Sequence, residues 1–415
     1  MAKAFGSIIS LTKSSFQLSE CGSRSTSPWA EPAWYSVERP SPYYKESHVR
    51  LRNYVRKWAE DDPSEWAHYP IAAGIRAAEW DGFHDFIIWD ELYRAPSISS
   101  AFIGLVVGVP PLKTYASTEL QAKILPEILE GRKRICLAIT EPSAGSDVRG
   151  ITTTAELTLD GKHYIVNGEK KWITNGFLSD YFMTLARTGG EGAGGLSMVL
   201  IPRLPGIGTR KIEIGAGGMS ATTYITFEDE GSGFKYTMSN FNHERLWIAF
   251  QALRGSRICL EDVMAWCQKR EAFGKTLIEQ PVVRHKLGHM ARQVDGLQSW
   301  IESIVYELDH LSHAKGNASS FDRYMKLKWL GSELLGGVTG LLKVQSGIVG
   351  KYVADECQKL MGGLGLTKTG QGARIEAIAR SVPTLIVPGG SEDVLLDLGV
   401  REAVKLSLKA SKSKL

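Results

Sequence analysis

The hydrophobic periodicity of the chain changes twice, and this limits the possible folds more than any other feature of the sequence. Residues 41–134 and 241–412 carry apolar residues at helical spacing, whereas 135–240 consists of short β-branched runs between turns. The long C-terminal segments are typical of an antiparallel bundle. We therefore predict an α+β multidomain protein with an N-terminal α-helical domain, a small middle β-barrel or β-sandwich domain and a C-terminal four-helix bundle.

The individual segments follow from amphipathic spacing and from turn residues. Helices are predicted over 48–60, 83–94, 246–269, 282–311, 323–344 and 351–360. In the middle region, Asp160-Gly161 predicts a hairpin turn between strands, and Asn167-Gly168 predicts a second turn. The strands of this region are predicted over 151–159, 163–166, 182–186, 197–201 and 222–227.

Both ends of the chain differ from the body. Residues 1–40 are largely polar, which predicts a poorly ordered arm. The chain finishes with Ser413-Lys414-Leu415, the tripeptide that the peroxisomal import receptor reads at a free C-terminus. A basic tail without a targeting role is the plain alternative. The Ser-rich, nearly acid-free first 25 residues leave a mitochondrial transit peptide as the other address.

Composition excludes several classes of function. The chain has 49 Lys and Arg against 45 Asp and Glu, too even a balance for a nucleic-acid-binding surface. Its five cysteines have neither disulfide-framework nor metal-ligand spacing. The longest apolar run, 101–112, is broken by Pro110-Pro111 and is too short to cross a bilayer. No nucleic acid, zinc site or membrane span is therefore expected.

Two further patterns could suggest a ligand site, and neither is supported by its context. Gly362-Gly363-Leu364-Gly365 follows a predicted helix rather than a strand, so it is not a dinucleotide-binding fingerprint. His285 and His289 lie one helical turn apart, but no third ligand is near in the sequence. A metal site is not predicted.

The most informative residues are two polar segments, a loop where the predicted helices give way to the sheet and a stretch on a predicted strand. The first, 137–147, is rich in hydroxyl groups and glycine and can offer backbone N–H groups to a heterocycle or a pyrophosphate. The second, 171–175, places Trp172 and Thr174 two residues apart, on the same side of a strand, where they could stack on a ring and bond its edge. A buried Trp with a Thr neighbour is the alternative.

Together, these segments make the chain similar to the acyl-CoA dehydrogenases, FAD-dependent enzymes with a helical, β and helical-bundle order. The resemblance extends from about residue 45 to 405. It implies that the first segment holds the flavin ring and pyrophosphate, that Trp172 flanks the isoalloxazine and that Thr174 bonds near flavin N5. The residues implied in the first segment are Leu137, Ile139, Thr140, Gly145 and Ser146.

The resemblance also implies shared cofactor sites. The family's Arg-x-x-Phe-Gly-Lys motif is present from Arg270 through Phe273 to Lys275, and with Gln280 it would contact the FAD of a neighbouring subunit. A homodimer or homotetramer is therefore expected. By local pattern alone, this segment would be a glycine-terminated, basic helix end. The remaining FAD contacts implied by the family are Lys359, Gly362, Gly363, Ser391 and Asp393.

The position of the catalytic base departs from the commonest family pattern. Many members carry it in a Tyr-Glu-Gly-Thr loop, where this chain has Gly389 at the Glu position. The long-chain and isovaleryl branches share that glycine and place the base in a Glu-Arg-Leu segment, found here as Glu244-Arg245-Leu246. The resemblance implies that Glu244 is the base, that Arg245 supports it and that the Gly389 N–H binds the thioester oxygen. A first-turn Glu that only favours the helix dipole is the alternative.

The expected reaction is α,β-dehydrogenation of an acyl-CoA, with proton abstraction by Glu244 and hydride transfer to flavin N5. Lys359 stands where the family commonly has Gln, and the segment 228–233 is short for the family, which leaves the substrate open. Three alternatives remain: an oxidase that uses O2, an enzyme acting on a non-CoA substrate, and a non-catalytic member. An electron-transferring flavoprotein or O2 could be the electron acceptor.

Overall fold

The computed structural model describes residues 27–36, 39, 41–61, 74–76, 79–94, 104–161, 163–215, 221–227, 234–236, 242–313 and 332–412. The chain divides into two compact units, a smaller one over 99–243 and a larger one that joins 2–98 to 244–415. The larger unit thus combines the N-terminal helices with the C-terminal bundle, which are separated by the smaller unit in the sequence.

The helices are numbered in chain order. They are α1 Ala33–Ser36, α2 Glu46–Asp61, α3 Gly82–Leu92, α4 Val109–Tyr115, α5 Thr118–Leu129, α6 Asn242–Lys269, α7 Pro281–His313, α8 Ser332–Met361, α9 Ala373–Ser381, α10 Pro383–Ile386 and α11 Glu392–Lys412. None of these helices combines the length and the apolar character that crossing a bilayer would require.

The strands form one large sheet and one small hairpin. They are β1 Ile135–Ala138, β2 Thr154–Leu157, β3 Tyr164–Ile173, β4 Tyr181–Arg187, β5 Leu196–Pro202, β6 Ile207–Lys211, β7 Thr223–Phe227, β8 Phe234–Tyr236, β9 Glu271–Ala272 and β10 Lys275–Thr276. The eight-stranded sheet has the order β6-β7-β3-β2-β4-β5-β8, with β1 parallel to β4. Strands β1, β6, β8, β9 and β10 are absent from the sequence prediction.

Helices α4 and α5 belong to the smaller unit, although the sequence analysis assigned residues 41–134 to one N-terminal helical domain. Leu120, Ile124 and Ile128 line one face of α5 at four-residue spacing and are buried in a cluster with Met183 and Leu185 of β4. This apolar face finds its partner on the sheet. Periodicity reveals that a helix has an apolar face but does not reveal which surface will cover it.

The two glycine turns predicted in the sheet have different outcomes. Gly161, at φ +69°, lies in the turn between β2 and β3, which pair antiparallel as predicted. The turn predicted at Asn167-Gly168 is wrong, because both residues continue β3. Gly168 has φ +143°, and a Cβ there would lie 2.6 Å from the Thr153 Oγ1 atom. Glycine is required here by the close approach of a neighbouring chain segment.

The core of the larger unit joins α3 to the long helices of the C-terminal bundle. Phe86 and Phe250 pack with their rings 4.7 Å apart, within a buried cluster that includes residues of α6, α7, α8 and α9. The two helices predicted over 323–344 and 351–360 are one continuous helix, α8, and residues 323–331 lie outside the described residues. Its glycines do not interrupt it; Gly347 allows Ile386 to approach closely.

Buried charges tie the segment before α1 into this core. Glu31 accepts hydrogen bonds from Arg52 at 3.0 Å and Arg56 at 2.9 Å, both on α2. On α6, the Arg254 Nε donates to Asp90 of α3 at 2.8 Å. The prediction of a poorly ordered arm over 1–40 is therefore wrong for the described residues 27–36, where Glu31 is buried; residues 1–26 lie outside the described residues, as do 413–415.

Candidate active site

Glu244 lies in the first turn of α6 and is half-buried. Burial raises the pKa of its carboxyl group to about 7, and the neighbouring Arg245 guanidinium opposes this shift only in part. A carboxyl group with a pKa near neutrality can accept a proton from carbon and release it again, as a general base must. A first-turn Glu that merely favoured the helix dipole would gain most from being ionised and exposed, which is not the situation of Glu244.

Arg245 connects the start of α6 to the loop between α10 and α11. Its buried guanidinium donates from Nε to the Gly389 carbonyl oxygen at 3.3 Å and from Nη1 to the Gly336 carbonyl oxygen at 3.4 Å. On the other side of this loop, Lys343 of α8 donates to the carbonyl oxygens of Ile386 and of Gly390, the latter at 2.7 Å. The loop is therefore held by cationic side chains from two helices.

The backbone of Gly389 excludes a side chain at this position. Its φ of +72° lies in the left-handed region, and a Cβ would approach the Cδ1 atom of Ile248 to 2.9 Å. The Gly389 N–H has no hydrogen-bond partner among the residues that the structure describes. The loop therefore offers backbone groups beside Arg245. Glu244, the residue before Arg245 in the sequence, carries the carboxylate of this candidate site.

In the smaller unit, the polar segment after β1 and the end of β3 meet directly. Thr140 is half-buried, and its carbonyl oxygen accepts a 2.8 Å hydrogen bond from the Lys171 N–H. Further along the first segment, Gly145 and Ser146 are exposed, whereas Leu137 and Ile139 are half-buried. The structure thus brings together the two segments that the sequence analysis paired.

A buried ion pair next to Thr140 fixes this junction. The Lys170 ammonium donates to Glu141 Oε1 at 2.8 Å and to the Ile139 carbonyl oxygen at 2.9 Å. Glu141 also accepts from the backbone N–H groups of Thr152, at 2.7 Å, and Thr153, at 3.0 Å. Burial lowers the pKa of the Lys170 ammonium to about 8. Burial alone would raise the pKa of Glu141, but the Lys170 ammonium outweighs this effect and lowers that pKa to about 2. Both groups are therefore ionised at neutral pH.

The sequence predicted that Trp172 and Thr174 would lie on the same side of a strand. The structure differs, because the strand is irregular at this point. The pairing of β3 with β7 shifts register between Lys170 and Ile173, and Trp172 has φ +65°. Strand β3 ends at Ile173, so Thr174 lies in the following turn. The indole of Trp172 is 52% exposed, and the Lys171 ammonium lies 4.7 Å from its ring centroid. The alternative of a buried Trp is wrong; the ring is available to a flat ligand.

The segment after α6 is a hairpin rather than the glycine-terminated helix end that its local pattern suggested. Strands β9 and β10 pair around Phe273 and Gly274, whose φ angles are +54° and +74°. Two positive φ values are typical of the tightest hairpin turns. Phe273 is 99% exposed at the tip, while exposed Arg270 precedes β9 and Gln280 donates to the Ala272 carbonyl oxygen at 3.2 Å.

The remaining cofactor candidates lie in the larger unit at the ends of α8 and α11. Lys359 pairs with Glu356 at 2.6 Å, and Gly362, with φ +62°, and Gly363 are exposed in the 3₁₀ turn that follows α8. The Ser391 carbonyl oxygen accepts from the Leu395 N–H at the start of α11, where Asp393 is exposed.

The sequence analysis missed a cluster of His48, Asp81 and His84, whose potential ligand atoms lie within 4.8 Å of one another. The Lys45 N–H donates to His48 Nδ1, so the hydrogen of a neutral His48 ring is on Nε2, which lies 2.8 Å from Asp81. Burial lowers the pKa of His48, which favours that neutral ring. Asp81 caps the N-terminus of α3. These hydrogen bonds give the cluster a structural role without a metal.

Comparisons with known proteins agree with these observations. The sequence model "Acyl-CoA dehydrogenase, middle domain" matches residues 136–230, and "Acyl-CoA dehydrogenase, C-terminal domain" matches 231–404. The chain is 40% identical to acyl-CoA dehydrogenase apdG of Emericella nidulans, covering 94% of this chain and 98% of that relative. It is 33% identical to acyl-CoA dehydrogenase AFT10-1 of Alternaria alternata, covering 92% and 96%.

Solved structures show the same fold. An acyl-CoA dehydrogenase from Bacillus anthracis complexed with FAD superposes with a TM-score of 0.73 at 22% identity, covering 89% of this chain and 63% of that one. A probable acyl-CoA dehydrogenase from Mycobacterium abscessus gives a TM-score of 0.73 at 23% identity, covering 87% and 100%.

Replacing Lys170 by Met should destabilise the smaller unit by about 3 kcal/mol, because it leaves the buried Glu141 carboxylate without its counter-ion. Lys171→Met, which removes a neighbouring ammonium that is not buried, is the matched control and should cost less than about 1 kcal/mol. Urea unfolding followed by circular dichroism measures both. Equal effects of the two substitutions would contradict a special role for the buried pair.

Proposed function

This chain belongs to the acyl-CoA dehydrogenase family of FAD-dependent oxidoreductases, and we propose that it removes the α-proton of an acyl-CoA thioester with Glu244 as the base. The observation that carries the assignment of the base is the pKa of Glu244, raised to about 7 by burial in the first turn of α6. The curated relatives apdG and AFT10-1, which this chain matches along almost its whole length, are both named acyl-CoA dehydrogenases.

The residues of the smaller unit fit a flavin. The exposed indole of Trp172 provides an aromatic face, and Thr140, exposed Gly145 and Ser146 provide hydroxyl and backbone N–H groups on the segment joined to it. Aromatic rings stack on flat heterocycles, and backbone N–H groups of a glycine-containing loop bind phosphate oxygens. When bound, FAD supplies the acceptor for the hydride that leaves the β-carbon.

Glu244 and the Gly389 loop divide the work on the thioester. The Glu244 carboxylate takes the α-proton, and negative charge then develops on the carbonyl oxygen of the thioester. The Gly389 N–H, which has no partner among the described residues, is available to that oxygen. Arg245 donates to the Gly389 carbonyl oxygen at 3.3 Å, in the peptide that follows this N–H, and so helps to fix the position of the loop. A donor that is already oriented stabilises the charge without reorganisation.

Glu244→Gln should keep bound FAD but lower the rate of dehydrogenation by about 10²- to 10⁴-fold, because the amide cannot accept the proton. Anaerobic bleaching of the flavin absorbance by a panel of acyl-CoAs measures the loss. Glu119→Gln, an exposed carboxylate on α5, is the matched control and should behave as wild type. Undiminished bleaching of the Glu244→Gln protein would refute the assignment.

The raised pKa of Glu244 predicts the pH dependence of the free enzyme. Since the base must be ionised, kcat/KM should rise about tenfold per pH unit at low pH and level off above about pH 7. Initial rates at subsaturating acyl-CoA between about pH 5 and pH 9 test this. A profile that levels off near pH 4.5, the ordinary pKa of a Glu, would place the base in a different environment.

The raised pKa of Glu244 also affects stability, which should change with pH in the opposite direction to kcat/KM. The folded protein binds this proton more tightly than the unfolded chain, so the free energy of unfolding should fall as the pH rises from about 4.5 to about 7. Glu244→Gln should remove this fall and stabilise the protein above pH 7 by up to about 3 kcal/mol. Thermal unfolding of the two proteins at the two ends of this range provides an independent check on the pKa.

We propose in addition that the protein is a homo-oligomer in which the tip of the β9–β10 hairpin reaches a neighbouring subunit. An almost fully exposed aromatic ring on a residue with positive φ is unfavourable in an isolated chain, for both hydration and backbone energy. Contact of Phe273 with a second copy would compensate for both. We take this contact to include the FAD of the partner subunit, as the family resemblance implies.

Phe273→Gly removes the proposed aromatic contact but preserves the hairpin, because glycine adopts the same φ without strain. The variant should fold normally, dissociate at higher concentrations than wild type and bind FAD about tenfold or more weakly. Light scattering after gel filtration, and flavin content after dialysis, measure the two effects. Leu159→Gly removes another fully exposed apolar side chain from a turn and is the control. An unchanged oligomer and flavin content in Phe273→Gly would rule out this contact.

A further inference from the structure

One face of α6 begins with the proposed base and continues with two buried polar side chains. Trp247 and Gln251 follow Glu244 by three and seven residues, a spacing that places all three on one side of a helix. Trp247 is 7% exposed and Gln251 is 6% exposed. Helix rise places them about 4.5 Å and about 10.5 Å beyond Glu244 along the axis.

Each of these side chains buries a hydrogen-bond donor for which the described residues provide no acceptor. The Nε1 atom of Trp247 and the Nε2 atom of Gln251 have no hydrogen-bond partner among the residues that the structure describes. Buried donors are nearly always paired, because removing them from water without a new acceptor costs free energy. Two unpaired donors, four residues apart on the face that starts at the base, point to an acceptor supplied by a bound molecule.

The surroundings of these donors hold Trp247 in place. The Trp247 ring packs between Trp89 of α3, with ring centroids 6.2 Å apart and planes perpendicular, and Tyr93, with centroids 5.8 Å apart. One turn beyond Gln251, Arg254 is already neutralised by Asp90. This face therefore offers neutral donors in an apolar, aromatic setting, which favours a neutral oxygen over an anion.

We propose that the acyl chain of the substrate carries a neutral oxygen acceptor beyond its β-carbon, and that Trp247 Nε1 and Gln251 Nε2 donate to it. An indole N–H can only donate, so the oxygen must be one that accepts, as in a ketone, an ether or a hydroxyl group. A plain alkyl chain would leave both donors unpaired. The proposal rests on the proposed function, because it takes Glu244 to mark the position of the reacting α-carbon.

The test uses the holoenzyme and straight-chain acyl-CoAs of equal length that carry one keto oxygen at successive positions beyond the β-carbon, or none. Wild type should show a kcat/KM at least about tenfold higher for one of the keto substrates than for the plain chain, because a site with buried donors discriminates against an analogue without the acceptor. Trp247→Phe and Gln251→Leu should each lose most of this preference, measured as the ratio of kcat/KM for the keto substrate to kcat/KM for the plain one. Trp300→Phe, a half-buried indole on α7, is the matched control and should retain the preference.

A second readout does not depend on turnover. In the Glu244→Gln background, calorimetry should show that the preferred keto substrate binds about tenfold more tightly than the plain one, and that Trp247→Phe removes the difference. Equal kcat/KM for plain and keto substrates in wild type would overturn the proposal without any variant, as would a preference that survives both substitutions. If no acyl-CoA bleaches the flavin of wild type, the proposed function itself fails, which is a different result.

Discussion

The buried cluster of carboxylates and guanidinium groups around Arg254 supports the rest of the larger unit. Arg254 belongs to α6, its partner Asp90 belongs to α3, and Glu31 precedes α1, so the cluster connects segments far apart in the sequence. Although burial alone would raise it, the Arg254 guanidinium lowers the pKa of Asp90 to about 2. Removing one member would leave a buried charge unpaired, which is strongly destabilising. The cluster therefore holds α6, and with it Glu244.

Once α6 is held, its first turn serves two opposite requirements. Glu244 must be buried enough to have a raised pKa, whereas Arg245 beside it must remain charged to hold the Gly389 loop. Arg245 meets this requirement because carbonyl oxygens of Gly336 and Gly389 accept its hydrogen bonds. The free-energy cost of a buried carboxylate at neutral pH is then explained by the proposed catalytic role, since functional sites commonly trade stability for a shifted pKa.

Much of the architecture was predictable, because long amphipathic helices and alternating strands can be recognised from local sequence patterns. The errors concern features decided by distant contacts. Gly168 resembles a turn residue but belongs to a strand, where Thr153 leaves no room for a side chain. Glu31 belongs to a Pro-rich, polar segment but is buried, because cationic side chains of α2 bind its carboxylate. In the candidate site, the motifs predicted Glu244 and Gly389, which stay predictions, whereas no motif predicted the ion pair of Lys170 with Glu141. Import through Ser413-Lys414-Leu415 stays a prediction, because these residues lie outside the described residues.

The sequence alone established the succession of helical and β segments and the family motifs, and from those motifs it predicted Glu244, in the first turn of α6, as the base in place of a loop carboxylate at Gly389. The tertiary structure was needed to show that Glu244 is partly desolvated, that Trp172 is exposed at a positive φ, and that Trp247 and Gln251 are buried without acceptors among the described residues. The reason is physical. Desolvation and hydrogen-bond pairing depend on which distant groups surround a side chain, and local sequence patterns do not contain that information.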